Sequence, residues 1–173
     1  ESMLRASRVV RTQLTVGRVA LAGAMPSARR GARQMSSLEG TKTLQNLKEA
    51  FAGESLARMR YLFFAQRADL EGYSEVAAAF RDVASSEEAQ AMGHLEFLQE
   101  FGDPVSNQPM GSTKENLNCA LVGESHDGVL TAEAIKMAQE EGFEDAHDWF
   151  TTVQQADKLH KKYFEKVLKE MPV

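Results

Sequence analysis

Displaced against itself by 70 positions, this sequence repeats. Thr43, Asn46, Leu47, Ala50, Gly53, Glu54 and Ser55 fall on Thr113, Asn116, Leu117, Ala120, Gly123, Glu124 and Ser125. Ala68, Glu71 and Gly72 then fall on Ala138, Glu141 and Gly142, and Phe80, Val83 and Glu87 on Phe150, Val153 and Asp157. A single offset held over more than forty residues marks a duplicated unit, so the fold must use one supersecondary element twice.

Each unit reads as a pair of helices. Thr43–Leu70 is rich in Ala, Leu, Glu and Arg, lacks proline, and ends at Glu71-Gly72, where glycine suits a helix C-cap. Ser74 is the expected N-cap of a second helix running to about Phe101. Gly102–Gly111 (GDPVSNQPMG) holds two of the four prolines and reads as a long crossover. Ser112 or Thr113 caps a third helix ending near Glu141-Gly142, and a fourth runs from about Phe143 to Glu170, before Pro172. No β pattern competes. The expectation is an all-α fold over residues 41–171, two helix-hairpin repeats with a long crossover, packed as a four-helix bundle.

In each helix one acid interrupts the apolar stripe. Glu54 has Leu47, Phe51 and Tyr61 on its face; Glu87 has Phe80, Val83 and Leu98; Glu124 has Leu117, Leu121 and Ile135; Asp157 has Phe150, Val153 and Phe164. Glu54 to Glu87 is 33 residues, and so is Glu124 to Asp157, so in antiparallel hairpins the acids stand at matching levels. One acid on an apolar face is usually a snorkelling surface residue. Four at matched repeat positions are not: converging in a core they would repel, and bound cations neutralise them together. Asp127 follows Glu124 by three residues and His160 follows Asp157 by three, so each pair shares a face. Carboxylates with one imidazole suit iron or manganese. The lone Cys119 allows neither an intrachain disulfide nor a thiolate metal site. Ferritin-like di-iron bundles use one Glu from each of two helices and Glu-x-x-His from the other two. Glu54 and Glu124 fill the first role and Asp157-x-x-His160 the second, whereas the remaining motif reads Glu87-x-x-Gln90.

These residues resemble the rubrerythrin family. NLKEAFAGESLARMRY (Asn46–Tyr61) is similar to its first-helix signature, EGYSEVAAAFRDVASSEEAQAMGH (Glu71–His94) to its second, TKENLNCALVGESHD (Thr113–Asp127) to its third and DKLH (Asp157–His160) to its fourth. The resemblance covers about residues 41–170. It implies a ferritin-like fold, a carboxylate-bridged pair of iron ions, and reduction of hydrogen peroxide to water with electrons from a redox partner. By the same resemblance Glu54 and Glu124 are terminal ligands, Glu87 and Asp157 bridge, His160 binds the second iron, Asp127 stands in for a glutamate on the first, and Tyr61 is a hydrogen-bonding neighbour of the centre.

The pattern also departs from that family. Gln90 replaces a histidine ligand, Asp127 and Asp157 are one methylene shorter than glutamate, and Thr131-Ala132-Glu133 stands where the family has Met-Tyr-Pro. No cysteine pairs of a rubredoxin domain occur before Val173, so the expected electron donor is a separate protein. His94 reads as structural, His126 and His147 as solvent-facing, and Trp149 as core or interface packing.

Charge separates two regions. Residues 1–35 carry seven Arg, no Lys and a single acid, with scattered apolar, Ser and Ala residues, which is how a mitochondrial targeting segment reads. A plastid transit peptide or a retained basic arm is the alternative. The remainder keeps 13 of the 20 basic and 24 of the 25 acidic side chains, a net of −11, which argues against nucleic-acid binding. The apolar stretch Val16–Ala24 is too short to span a bilayer. The expected function is a di-iron peroxide reductase, a homodimer or a subunit of a larger mitochondrial assembly. A degenerate accessory subunit that keeps the fold is the alternative, and ferroxidase or iron storage the third. The crossover at Gly102–Gly111 would also allow helix pairs to exchange between chains.

Overall fold

A computed structural model describes residues 38–172. The basic segment 1–35, read above as a targeting segment or arm, lies outside the described residues. Four helices follow, α1 (Lys42–Leu70), α2 (Ser74–Leu98), α3 (Thr113–Glu141) and α4 (Glu144–Glu170), with a 3₁₀ turn Gln99–Phe101 after α2. The described residues are thus all-α, two helix-hairpin repeats joined by a crossover, the ferritin-like class expected from the sequence.

Local chemistry sets the ends. Thr41 Oγ1 accepts the Leu44 amide at 3.2 Å and starts α1. Ser112 starts α3 with a capping box: its hydroxyl accepts the Glu115 amide at 3.3 Å while the Glu115 carboxylate accepts the Ser112 amide at 2.8 Å. The two hairpin turns repeat each other as the 70-residue offset demands. Gly72 and Gly142 both adopt left-handed φ, +85° and +78°, and the next amide, of Tyr73 or Phe143, returns to the Ala68 or Ala138 carbonyl at 2.8 or 2.9 Å. Ser74 is not the cap expected of it. Tyr73 holds that position because its carbonyl already accepts the Ala77 amide, which leaves Ser74 inside the first turn.

Close helix–helix packing among the described residues is confined to α1 on α2 and α3 on α4. The seam of the first hairpin is lined by Ala65, Ala68, Ala77, Ala84 and Ala91, small side chains that let two helices approach. Leu98 is the largest side chain buried outright, and α4 has no buried residue. The larger apolar residues of the carboxylate-bearing stripes, among them Phe51, Phe80, Leu121 and Phe164, are only half-buried. Trp149, expected in a core or an interface, is 62% exposed on this chain.

The crossover is compact rather than stretched. The Asp103 amide donates to the Gln108 carbonyl at 2.9 Å and the Asn107 amide to the Asp103 carbonyl at 2.8 Å. Gly102, at φ +99°, lies so close to the Gln108 carbonyl that a Cβ would sit 2.9 Å from its oxygen. Cys119 Sγ, near the start of α3, approaches the Pro109 carbonyl at 3.3 Å. Gly111 lies against the Gln99 side chain, so the crossover closes on itself and α3 starts where α2 ends.

Candidate metal centre

The equal spacing of the acids brings them together in pairs, one set per hairpin. On the first hairpin Glu54 and Glu87 face each other from α1 and α2, both half-buried. The Glu87 carboxyl is held above the ordinary carboxylate range, first by a hydrogen bond shared with Glu54, then by burial, then by the Glu54 charge. Two carboxyls held this close repel when both are ionised, and a bound cation would relieve that repulsion. One turn beyond Glu54, Arg58 Nη2 meets Glu88 Oε2 at 2.9 Å and ties the helices together beside this pair.

On the second hairpin Glu124, Asp157 and His160 each place one ligand atom within 4.8 Å of the others. His160 Nδ1 stands 3.4 Å from Glu124 Oε2, joining α3 to α4. Thr131, seven residues after Glu124 and so on its face, is a buried polar residue. Its hydroxyl donates to the Asp127 carbonyl at 2.7 Å, with Asp157 Oδ2 at 3.4 Å as a second acceptor. In the sequence Thr131 stands out only as a departure from a motif, but its interval of seven residues from Glu124 places it beside the acids.

Asp127 is not drawn into the cluster. Its side chain is 61% exposed, with Oδ1 3.7 Å from His126 Nδ1. Gln90 Nε2 donates to Ser86 Oγ on its own helix at 3.2 Å, so the amide in the histidine position is engaged locally. Tyr61 stacks on Phe80, ring centroids 6.2 Å apart, and lies 6.3 Å from Phe64. Its place in the chain is therefore the aromatic cluster of the first hairpin. The four stripe acids do not meet within one chain, because α2 and α3 diverge from the compact crossover instead of packing side by side.

The donors fit the metal implied by their chemistry. Oxygen donors dominate and one imidazole joins them, which suits a hard or borderline divalent ion.

Residues 45–168 match the family model for rubrerythrin. Rubrerythrin-1 of Clostridium acetobutylicum is 36% identical over 146 residues, 79% of this chain and 75% of that protein. The rubrerythrin of Porphyromonas gingivalis is 35% identical over 133 residues, covering 74% of this chain and 66% of the relative. That of Nitratidesulfovibrio vulgaris is 35% identical over 136 residues, 75% and 71% respectively. With that match laid over the two half-sites, the chain belongs to the rubrerythrin family.

Proposed function

We propose that the chain holds two iron ions between its hairpin carboxylates and reduces hydrogen peroxide to water, with the electrons coming from a separate donor protein. The observation that carries this reading is the convergence of Glu124, Asp157 and His160 in one cluster, with the neighbouring Glu54–Glu87 pair as the complementary set. When bound, the two irons supply one electron each, matching the two electrons and two protons that turn one peroxide into two waters. The chain's own residues do the rest. Glu54, Glu87, Glu124 and Asp157 offset the positive charge, His160 offers a ring nitrogen in its neutral form, and the Thr131 hydroxyl orients Asp157. Asp127 reaches the centre only by turning from His126. Manganese fits the same donor set. We assign the basic segment 1–35 to mitochondrial targeting, with a plastid as the alternative.

A second reading, an accessory subunit of a larger mitochondrial assembly that keeps the fold without turnover, is favoured by the local engagement of Gln90 and the exposure of Asp127. Iron analysis and a peroxidase assay with a reducing partner separate the two. Two irons per centre with peroxide-dependent oxidation of the donor supports the first reading, and metal-free protein no faster than buffer ends it. Oxidation of ferrous iron with retention of many ions per chain would instead mark ferroxidase or storage chemistry.

A further inference from the structure

We propose that two copies of this chain exchange hairpins, so that each metal centre takes Glu54 and Glu87 from one chain and Glu124, Asp157 and His160 from the other. The inference rests on the reading of these residues as metal ligands.

Three observations carry it. The ligand set is divided between two hairpins that do not pack on each other within the chain, so neither half has the carboxylates to complete a two-metal site. The carboxylates of both halves and the large apolar side chains on their faces are only half-buried, and α4 has no fully buried residue. Two antiparallel helices leave such a face open; four close it.

The crossover supplies the symmetry. Eleven residues separate Glu87 from Leu98 at the end of α2, and eleven separate Thr113 at the start of α3 from Glu124. Each half-site therefore stands about 17 Å of helix from the crossover, at 1.5 Å per residue. A twofold axis at the crossover carries the first half-site of one chain to the level of the second half-site of the other, and does so at both ends of the dimer. A chain closing on itself needs either a crossover running back along a helix or direct packing of α2 on α3. The turn held by Asp103, Asn107 and Gln108 excludes the first, and the divergence of the hairpins excludes the second. A second copy is thus the occupant of each open face, since it alone brings the missing ligands at the matching level.

Complementation tests this directly. One chain carries Glu54→Ala and Glu87→Ala, the other Glu124→Ala, Asp157→Ala and His160→Ala. The two are co-expressed with different tags, and the heterodimer is isolated and loaded with ferrous iron without oxygen. Exchange rebuilds one intact centre of two, so the heterodimer should hold half the iron of the unaltered dimer while both parent homodimers hold almost none. A heterodimer as empty as its parents, beside an iron-loaded unaltered dimer, overturns the proposal. A second measurement uses the unaltered sequence and no metal. Chains of ordinary and ¹⁵N isotopic content are unfolded, mixed in equal amounts, refolded and cross-linked through lysines. Random pairing in a twofold dimer should put about half of the links from Lys42 or Lys48 to Lys161 or Lys162 between differently labelled chains. An absence of such hybrid links, a monomer holding the full iron, or open faces covered only by a different protein overturns exchange. Hybrid links from a dimer that binds no iron uphold exchange and defeat the metal reading alone.

Discussion

The two hairpins descend from one template, yet they have been put to different use. The first is closed along its seam. Five alanines are buried between α1 and α2, Tyr61, Phe64 and Phe80 form an aromatic cluster, and Arg81 grips Asp69 through two hydrogen bonds of 2.8 and 3.3 Å. The second is looser. Cys119, Thr131 and Ala138 are its buried residues, and α4 contributes none. The looser hairpin carries the richer set of candidate ligands, three donors including the imidazole, against two carboxyls in the tighter one. Packing and candidate donors are distributed unequally: a seam of small apolar side chains closes one half, whereas the proposed ligands take polar positions in the other.

The largest expected effect attacks the ligand-rich half. Asp157→Ala combined with His160→Ala removes two of the three clustered donors, and the purified protein should retain no iron at its centre on metal analysis. If iron content is unchanged, the second hairpin is not where the metal is held. Thr131→Val keeps shape but removes the hydroxyl beside Asp157. Iron affinity should fall about 10- to 100-fold, the usual cost of losing a group that orients a ligand, while helix content by circular dichroism stays the same.

The seam offers the converse test. Ala77, buried outright, and His147 occupy equivalent positions in the two repeats. Ala77→Leu should destabilise the metal-free protein by about 1–3 kcal/mol through overpacking, read as a lower urea midpoint. His147→Leu should shift that midpoint far less, and equal shifts would erase the contrast between a tight and a loose hairpin.

The smallest effect concerns the caps. Thr41→Ala and Ser112→Ala should each cost about 1 kcal/mol, but they should separate with pH. Glu115 is held below its ordinary value of 4.5 by the backbone and hydroxyl of Ser112. A carboxylate depressed in the folded state stabilises above its unfolded value and loses that contribution as pH falls through its folded value. The penalty of Ser112→Ala should therefore shrink in acid, below pH 4.5, while that of Thr41→Ala, which has no acid in the first turn of its helix, stays level. Parallel pH profiles for the two variants would count against the capping box as the source.

Much of this was legible in the residues. Helical periodicity is local, so the apolar stripes, the acids within them and the glycines at Gly72 and Gly142 announced four helices and two turns. The repeat announced that the two turns would match, and they do, down to Ser55 and Ser125 each donating to a carbonyl one turn back at 2.7 Å. Less was legible where a side chain chooses between neighbours. Asp127 shares a face with Glu124 but turns to His126, and Gln90 turns to Ser86, choices set by rotamers and adjacent groups rather than spacing.

By itself the sequence determined the helices, the pairing within each hairpin and the level at which each acid stands, because intervals of three, four, seven and thirty-three residues act through helix geometry alone. Only the tertiary structure decided that the acids gather as two half-sites rather than one centre. That outcome turns on the conformation of Gly102–Gly111, where left-handed glycines and the turn from Asp103 to Gln108 close the crossover and send the second hairpin away from the first. No periodicity encodes that choice, since the same ten residues could have run extended, and it depends on contacts as distant in sequence as Lys48 Nζ on Asn107 Oδ1 at 3.3 Å.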